Sequence, residues 1–167
     1  LVVEDAYGFD ISVLAGLHKH RERLLQEFFD EKIKPLITPK AMKSVQEHKN
    51  NGDYIVIITA TLEEIARPIA EFFAVNHLIG GKAEKDERDM YTGKLVLEPC
   101  MGRGKLVHLE AWLTDSQMNP QEYTFYSDSH NDLPLLEQVD NPIAVDPDEK
   151  LREIATSNGW QIISFNE

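Results

Sequence analysis

The sequence predicts an α/β protein, a mainly parallel sheet with helices on both faces, together with a small helical lobe. Three observations predict it. From residue 54 onward, short β-branched runs alternate with segments of helical apolar spacing, the pattern of crossovers on a parallel sheet. Two of those runs, Tyr54-Ile-Val-Ile-Ile58 and Tyr123-Thr-Phe-Tyr126, end in polar turns that open into a helix. Residues 1–37 show no strand pattern; Leu14, Leu17, Leu24, Leu25, Phe28 and Phe29 recur there at helical spacing.

Taken in order, residues 1–37 read as two or three helices closed by Pro35 and Pro39, and residues 38–167 as the α/β core. The histidines of the lobe read as solvated helix residues rather than metal ligands. Thr38 suits an N-cap with Pro39 in the first turn, and Asn50-Asn51-Gly52 stops that helix. Tyr54 to Ile58 reads as a strand buried on both faces, ending in Thr59-Ala-Thr61. The helix after it, Leu62 to Phe73, is expected to start beside a hydroxyl cap and to kink or break at Pro68. His77 to Gly80 is a short strand, Glu84 to Asp89 a solvated turn, and Tyr91 to Leu97 part of a hairpin. Leu106, Leu109, Trp112 and Leu113 mark a helix with Lys105 in its first turn. Then follow the strand at 123–126, a helix from Leu133, a strand Pro142 to Val145, a helix Asp148 to Ser157 ended by Asn158-Gly159, and a strand Trp160 to Phe165.

Composition bounds the function. A chain of 167 residues, 42% hydrophobic, buries one sizeable core. Lys plus Arg number 17 against 29 Asp plus Glu, and the net charge of −12 argues against nucleic-acid or anionic-membrane partners, which need a basic face. No apolar run approaches the ~20 residues that span a bilayer, and no signal-peptide pattern is present. The single cysteine, Cys100, forms no internal disulfide and suggests a cytoplasmic protein.

Three places then line up. Thr59, with Ala60 and Thr61, follows one strand; Lys105 opens a helix after Met101-Gly-Arg-Gly104; Asp128, Asn131 and Asp132 follow another strand. Ligands sit at the carboxyl ends of strands in an open parallel sheet. A hydroxyl before a helix N-terminus binds phosphate oxygens, a lysine neutralises a transferring phosphoryl group, and carboxylates with Asn and Ser oxygens suit Mg²⁺. Singly, each has a plainer reading: an acidic loop capping the next helix, a threonine cap, a surface lysine.

Together, in this order, they resemble the haloacid dehalogenase superfamily, in its phosphoserine-phosphatase-like branch. Ile57-Ile-Thr-Ala-Thr61 is similar to the family's second motif, Gly104-Lys105 to its third, and Tyr126-Ser-Asp-Ser-His-Asn-Asp-Leu-Pro-Leu-Leu136 to its fourth. Arg67-Pro68-Ile69-Ala70, Tyr91-Thr92-Gly93 and Pro99-Cys100 are similar to members that include histidinol-phosphate phosphatases. The resemblance implies a Rossmann-like core, a helical cap in residues 1–37, and phosphoryl transfer to an aspartate followed by hydrolysis of a small phosphorylated metabolite. It implies phosphate binding by Thr59, Ala60, Thr61 and Asn131, catalytic roles for Lys105 and Asp132, and a Mg²⁺ ligand in Asp128.

The family's first motif, a strand followed by Asp-x-Asp-x-Thr or Val, does not precede the cap. Only Ile143-Ala-Val-Asp-Pro-Asp148 imitates it, with Glu149 where Thr belongs, and Asp146 or Asp148 reads better as a helix N-cap than as a permuted nucleophile. The expectation is that a first strand and roughly fifty residues of cap and linker lie outside this chain. The isolated chain is then expected not to turn over a phosphomonoester, and two unpaired sheet edges are expected to favour a homodimer. Two competitors are a phosphoacceptor receiver domain, in which the acids come before the Thr and Lys, and a non-catalytic scaffold that uses the cap as an interaction surface. Tyr7, Phe9 and Arg21 are candidate cap contacts to substrate.

Overall fold

The computed structural model describes residues 20–88 and 90–166, and the chain divides into two compact units between Pro99 and Cys100. The first 19 residues, and with them Tyr7, Phe9 and most of the expected cap, lie outside the described residues, as does the Arg21 side chain.

In the first unit, α1 (Arg21–Phe28) passes into a wider π-type turn (Phe29–Ile33) and a tight turn (Lys34–Leu36). Its apolar stripe has a destination. Phe29 and Ile33 pack with Ile69 and Phe73, and Leu25 packs against Leu62, Ile65, Ala83 and Tyr91. Helix α2 (Pro39–Asn51) is delimited as its sequence demands: the Thr38 hydroxyl accepts from Ala41 N at 3.2 Å, and Gly52 closes it in the left-handed region at φ 81°.

Strand β1 (Val56–Leu62) pairs in parallel with β2 (His77–Gly81), joined by α3 (Glu63–Phe72). Three expectations change here. Thr59, Ala60 and Thr61 lie inside β1 rather than after it, because threonine is as compatible with a strand as the isoleucines before it. Residues 56–61 are half-buried, since among the described residues β1 has a neighbour on one edge only. Helix α3 has Leu62 at its N-cap with no side-chain cap, and it runs unbroken through Pro68, its apolar face of Ile65, Ala66 and Ile69 buried. The tertiary contacts of that face outweigh the hydrogen bond that proline removes.

The β1–β2 register shifts between Ile58 and Leu62, beside Gly80. A Cβ at Gly80 would stand 2.7 Å from the Thr61 carbonyl oxygen, a backbone atom that cannot swing aside. Gly80→Ala is therefore expected to destabilise the first unit by about 1–3 kcal/mol, read as a lowered urea midpoint at unchanged slope. A hairpin of β3 (Ala83–Lys85) and β4 (Tyr91–Leu95) completes the unit, its turn held by Asp86, whose Oδ1 accepts from Arg88 N and Met90 N, both at 2.9 Å.

In the second unit, α4 (Arg103–Ser116) precedes an all-parallel sheet of β5 (Thr124–Ser127), β6 (Asn141–Val145) and β7 (Gln161–Ile163), in that order. The connections are a tight turn (His130–Asp132) with α5 (Leu133–Leu136), and α6 (Glu149–Asn158). Leu136, Ala144, Leu151 and Ala155 are fully buried and form its centre, with Phe125, Leu133, Trp160 and Ile162 around them. Among the described residues no helix is long and apolar enough to cross a membrane.

Candidate active site

The carboxyl end of β5 carries a cluster of buried polar residues. Ser127 is the last residue of the strand and is fully buried; Ser129 and Asp132 are 2% and 3% exposed. Buried polar groups this close require partners, and they have them. The Ser127 hydroxyl donates to Asp132 Oδ2 at 2.8 Å and accepts from Ser129 N at 3.2 Å, while the Ser129 hydroxyl accepts from Asn131 N at 3.2 Å. The two serines brace the loop, an arrangement that the residue types alone did not distinguish from metal ligation.

Lys105 enters from the first turn of α4. Gly102 precedes it at φ 54°, a conformation that a side chain would strain. Lys105 is 5% exposed, which removes the surface-lysine reading, and its ammonium lies 2.6 Å from Asp132 Oδ2 and 5.9 Å from the centre of the Phe125 ring. Lysine is almost never buried without a paired charge. Asp132 Oδ2 thus receives two donors at once, an ammonium and a hydroxyl, and fixes the lysine at the strand end.

The second acid has a different situation. Asp128 follows Ser127 directly, and its carbonyl accepts from Asp148 N at 2.8 Å. Among the described residues no group of three His, Cys, Asp or Glu side chains is placed to hold a metal. Asp128, with Asn131 in the same loop, offers hard oxygen donors of the kind Mg²⁺ takes, a cation commonly held by one or two carboxylates and completed by water and phosphate oxygens.

Asp148 is the N-cap of α6, as its position suggested: its Oδ1 accepts from Leu151 N at 2.8 Å. Its Oδ2 accepts from His130 N at 2.8 Å and lies 2.9 Å from His130 Nδ1. Burial pushes the Asp148 carboxyl up, but the Leu151 and His130 amides and the His130 ring outweigh it and hold the carboxyl below its usual 3.8. Asp146, at φ 43°, has Oδ2 accepting from Phe165 N at 2.9 Å. Both acids of the imitation first motif are engaged in holding this unit together.

Thr59, Ala60 and Thr61 belong to the first unit, where the Thr59 hydroxyl accepts from Thr61 N at 3.1 Å rather than capping α3. Lys105, Asp128, Asn131 and Asp132 belong to the second. Within that unit, helix α4 and the β5 loop bring Lys105 and Asp132 into contact across 27 positions of sequence. Sequence reasoning missed the Ser127–Asp132 bond and the link from Asp148 to His130; the only signal for the latter was an Asp at a helix start.

Residues 4–137 match the profile of the haloacid dehalogenase-like hydrolases. The chain is 38% identical over 143 residues to a histidinol-phosphatase of Neisseria meningitidis, covering 84% of this chain and 64% of that protein. It is 34% identical over 140 residues to a phosphoserine phosphatase of Mycobacterium tuberculosis, covering 84% of this chain and 45% of that protein. A crystal structure of a Bordetella pertussis protein of unknown function superposes with a TM-score of 0.79 at 40% identity, covering 83% of this chain and 63% of that one. The chain thus spans about two thirds or less of the length of each of these relatives. A profile match over most of the chain, and a close structural likeness at 40% identity, agree with the lysine–aspartate pair at the end of β5: the chain belongs to the haloacid dehalogenase-like hydrolase family.

Proposed function

We propose that the protein hydrolyses the phosphomonoester of a small metabolite in the cytoplasm, with histidinol phosphate the first candidate and phosphoserine the second. The observation that carries this reading is the buried Lys105–Asp132 pair, braced by Ser127, at the carboxyl end of a parallel strand. Phosphoryl transfer is mostly positioning and charge stabilisation, and a desolvated ammonium with a fixed position supplies both. Lys105 neutralises charge on the transferring group, and Asp132 holds Nζ where it is needed. Asn131, in the same unit, binds phosphate oxygens; Thr59, Ala60 and Thr61, in the first unit, are assigned to phosphate binding by the motif resemblance alone. Asp128 holds Mg²⁺, which neutralises phosphate charge when bound.

In this proposal neither Asp146 nor Asp148 is the acceptor of the phosphoryl group. Asp146 and Asp148 are already committed to Phe165 N and to the α6 cap with His130, which supports that assignment. The chain alone is accordingly proposed to be inactive. Among the described residues β1 pairs only with β2, and β5 only with β6, and such edges support a homodimer as the state in solution. The names of the two curated relatives support the choice of substrates.

The test is a panel of phosphomonoesters, with and without Mg²⁺, given to a polypeptide that carries these residues and an Asp-x-Asp segment. Histidinol phosphate is expected to be turned over fastest and only with the cation. Binding of phosphorylated ligands without any turnover would make the protein a non-catalytic member of the family.

A further inference from the structure

Asp148 is 18 residues from His130 in sequence, yet it contacts the acid loop through both its backbone and its side chain. Its N–H donates to the Asp128 carbonyl at 2.8 Å, and its Oδ2 accepts the His130 N–H at 2.8 Å. Ser129, the residue between those two anchors, is therefore straddled. The other oxygen caps α6 through Leu151 N. Capping needs one acceptor, and Ser or Asn serves as well as Asp. A side chain that caps a helix and also holds a neighbouring loop amide needs two acceptors on one carbon, which only a carboxylate supplies. The His130 ring contact is an exposed pair, 38% and 37% accessible on its two sides, and contributes little by itself. The charge-assisted bond to the His130 amide is the significant one.

We propose that Asp148 is a positioning residue for phosphoryl transfer. It ties the 128–132 loop to the N-terminus of α6, so that Asp128 and Asp132 keep the orientation in which Asp132 meets Lys105. The consequence for catalysis rests on the phosphatase reading above; the anchoring of the loop does not.

Two variants preserve the cap and break the tie: Asp148→Ser, whose hydroxyl reaches Leu151 N but not His130 N, and Asp148→Asn, whose one oxygen stays at the Leu151 N cap and turns a donor NH2 toward the His130 N–H. Amide hydrogen exchange of the 167-residue chain, followed by NMR, is the first readout. The His130 and Asn131 amides are expected to exchange about tenfold faster or more in both variants, while Leu151 and Arg152 keep their protection. Unchanged loop exchange would overturn the proposal, and so would loss of protection along α6 with the loop unaffected, which is the signature of a cap alone. The second readout is hydrolysis of p-nitrophenyl phosphate by the polypeptide carrying the Asp-x-Asp segment. There kcat is expected to fall about tenfold or more in Asp148→Ser with KM little changed. Faster loop exchange at undiminished kcat would also overturn the proposal. If the unsubstituted protein turns over no phosphomonoester, the phosphatase reading fails, and the exchange experiment still decides whether Asp148 anchors the loop.

Discussion

Replacing Lys105 with methionine is expected to lower phosphomonoester turnover by about 10²–10³-fold and to destabilise the second unit by about 3–5 kcal/mol. The two losses have different origins. Methionine has nearly the volume of the lysine stem but gives up the ammonium's contact with the Phe125 ring, and Asp132, 3% exposed, is left with only the Ser127 hydroxyl for its Oδ2. An uncompensated buried carboxylate is what makes breaking such a pair expensive, far more so than the modest net stabilisation the intact pair supplies. The double variant Lys105→Met/Asp132→Leu separates the effects. With both charges gone, stability is expected to return towards the unsubstituted value, while activity stays lost because no ammonium meets the phosphoryl group. Urea denaturation followed by tryptophan fluorescence reads the stability, since Trp112 and Trp160 both belong to this unit and Trp160 packs against its core. Single and double variants of equal stability would mean that the pair is not desolvated in solution.

How much of this was legible in the sequence depended on the range of the interaction. Helix ends were read correctly where the signal is local: Thr38 with Gly52 around α2, and Asp148 with Gly159 around α6, sit within a turn of the helix they delimit. The strand–turn–helix at 123–137 was legible for the same reason, an apolar run meeting a loop of Asn, Asp and Ser. Strand β1 was less so. A β-branched run is fully buried only if helices cover both of its faces and strands flank both of its edges, and that is a property of the sheet rather than of the run. Thr59 and Thr61 illustrate a conflict of propensities, since their hydroxyls suit a cap and their branched Cβ suits a strand; the strand prevailed, with an irregular register. Side-chain bonds across 18 and 27 positions, Asp148 to His130 and Lys105 to Asp132, leave no periodic trace. The second was reachable only through motif resemblance, and the first not at all.

Asp128→Asn provides the sharpest separation of chemistry from folding. The substitution keeps the shape of the side chain and leaves untouched the backbone carbonyl that accepts from Asp148 N, so the loop's backbone tie to α6 is expected to stay in place. A neutral amide is a poor ligand for Mg²⁺ beside a carboxylate, and the charge it would have contributed is absent where phosphate oxygens bring their own negative charge. Turnover by the polypeptide carrying the Asp-x-Asp segment is expected to fall about a hundredfold or more at fixed Mg²⁺, with partial recovery as the cation is raised. Undiminished turnover, with the same Mg²⁺ dependence, would remove Asp128 from the metal site and leave the loop a structural element. The 167-residue chain supplies the complementary measurement. It is expected to show no turnover at any Mg²⁺ concentration, because the acids of its only Asp-x-Asp pair are held by Phe165 N, Leu151 N and His130 N. Activity in that chain which Asp146→Asn abolished would reverse the assignment, making a residue at φ 43° after β6 the nucleophile of a permuted site.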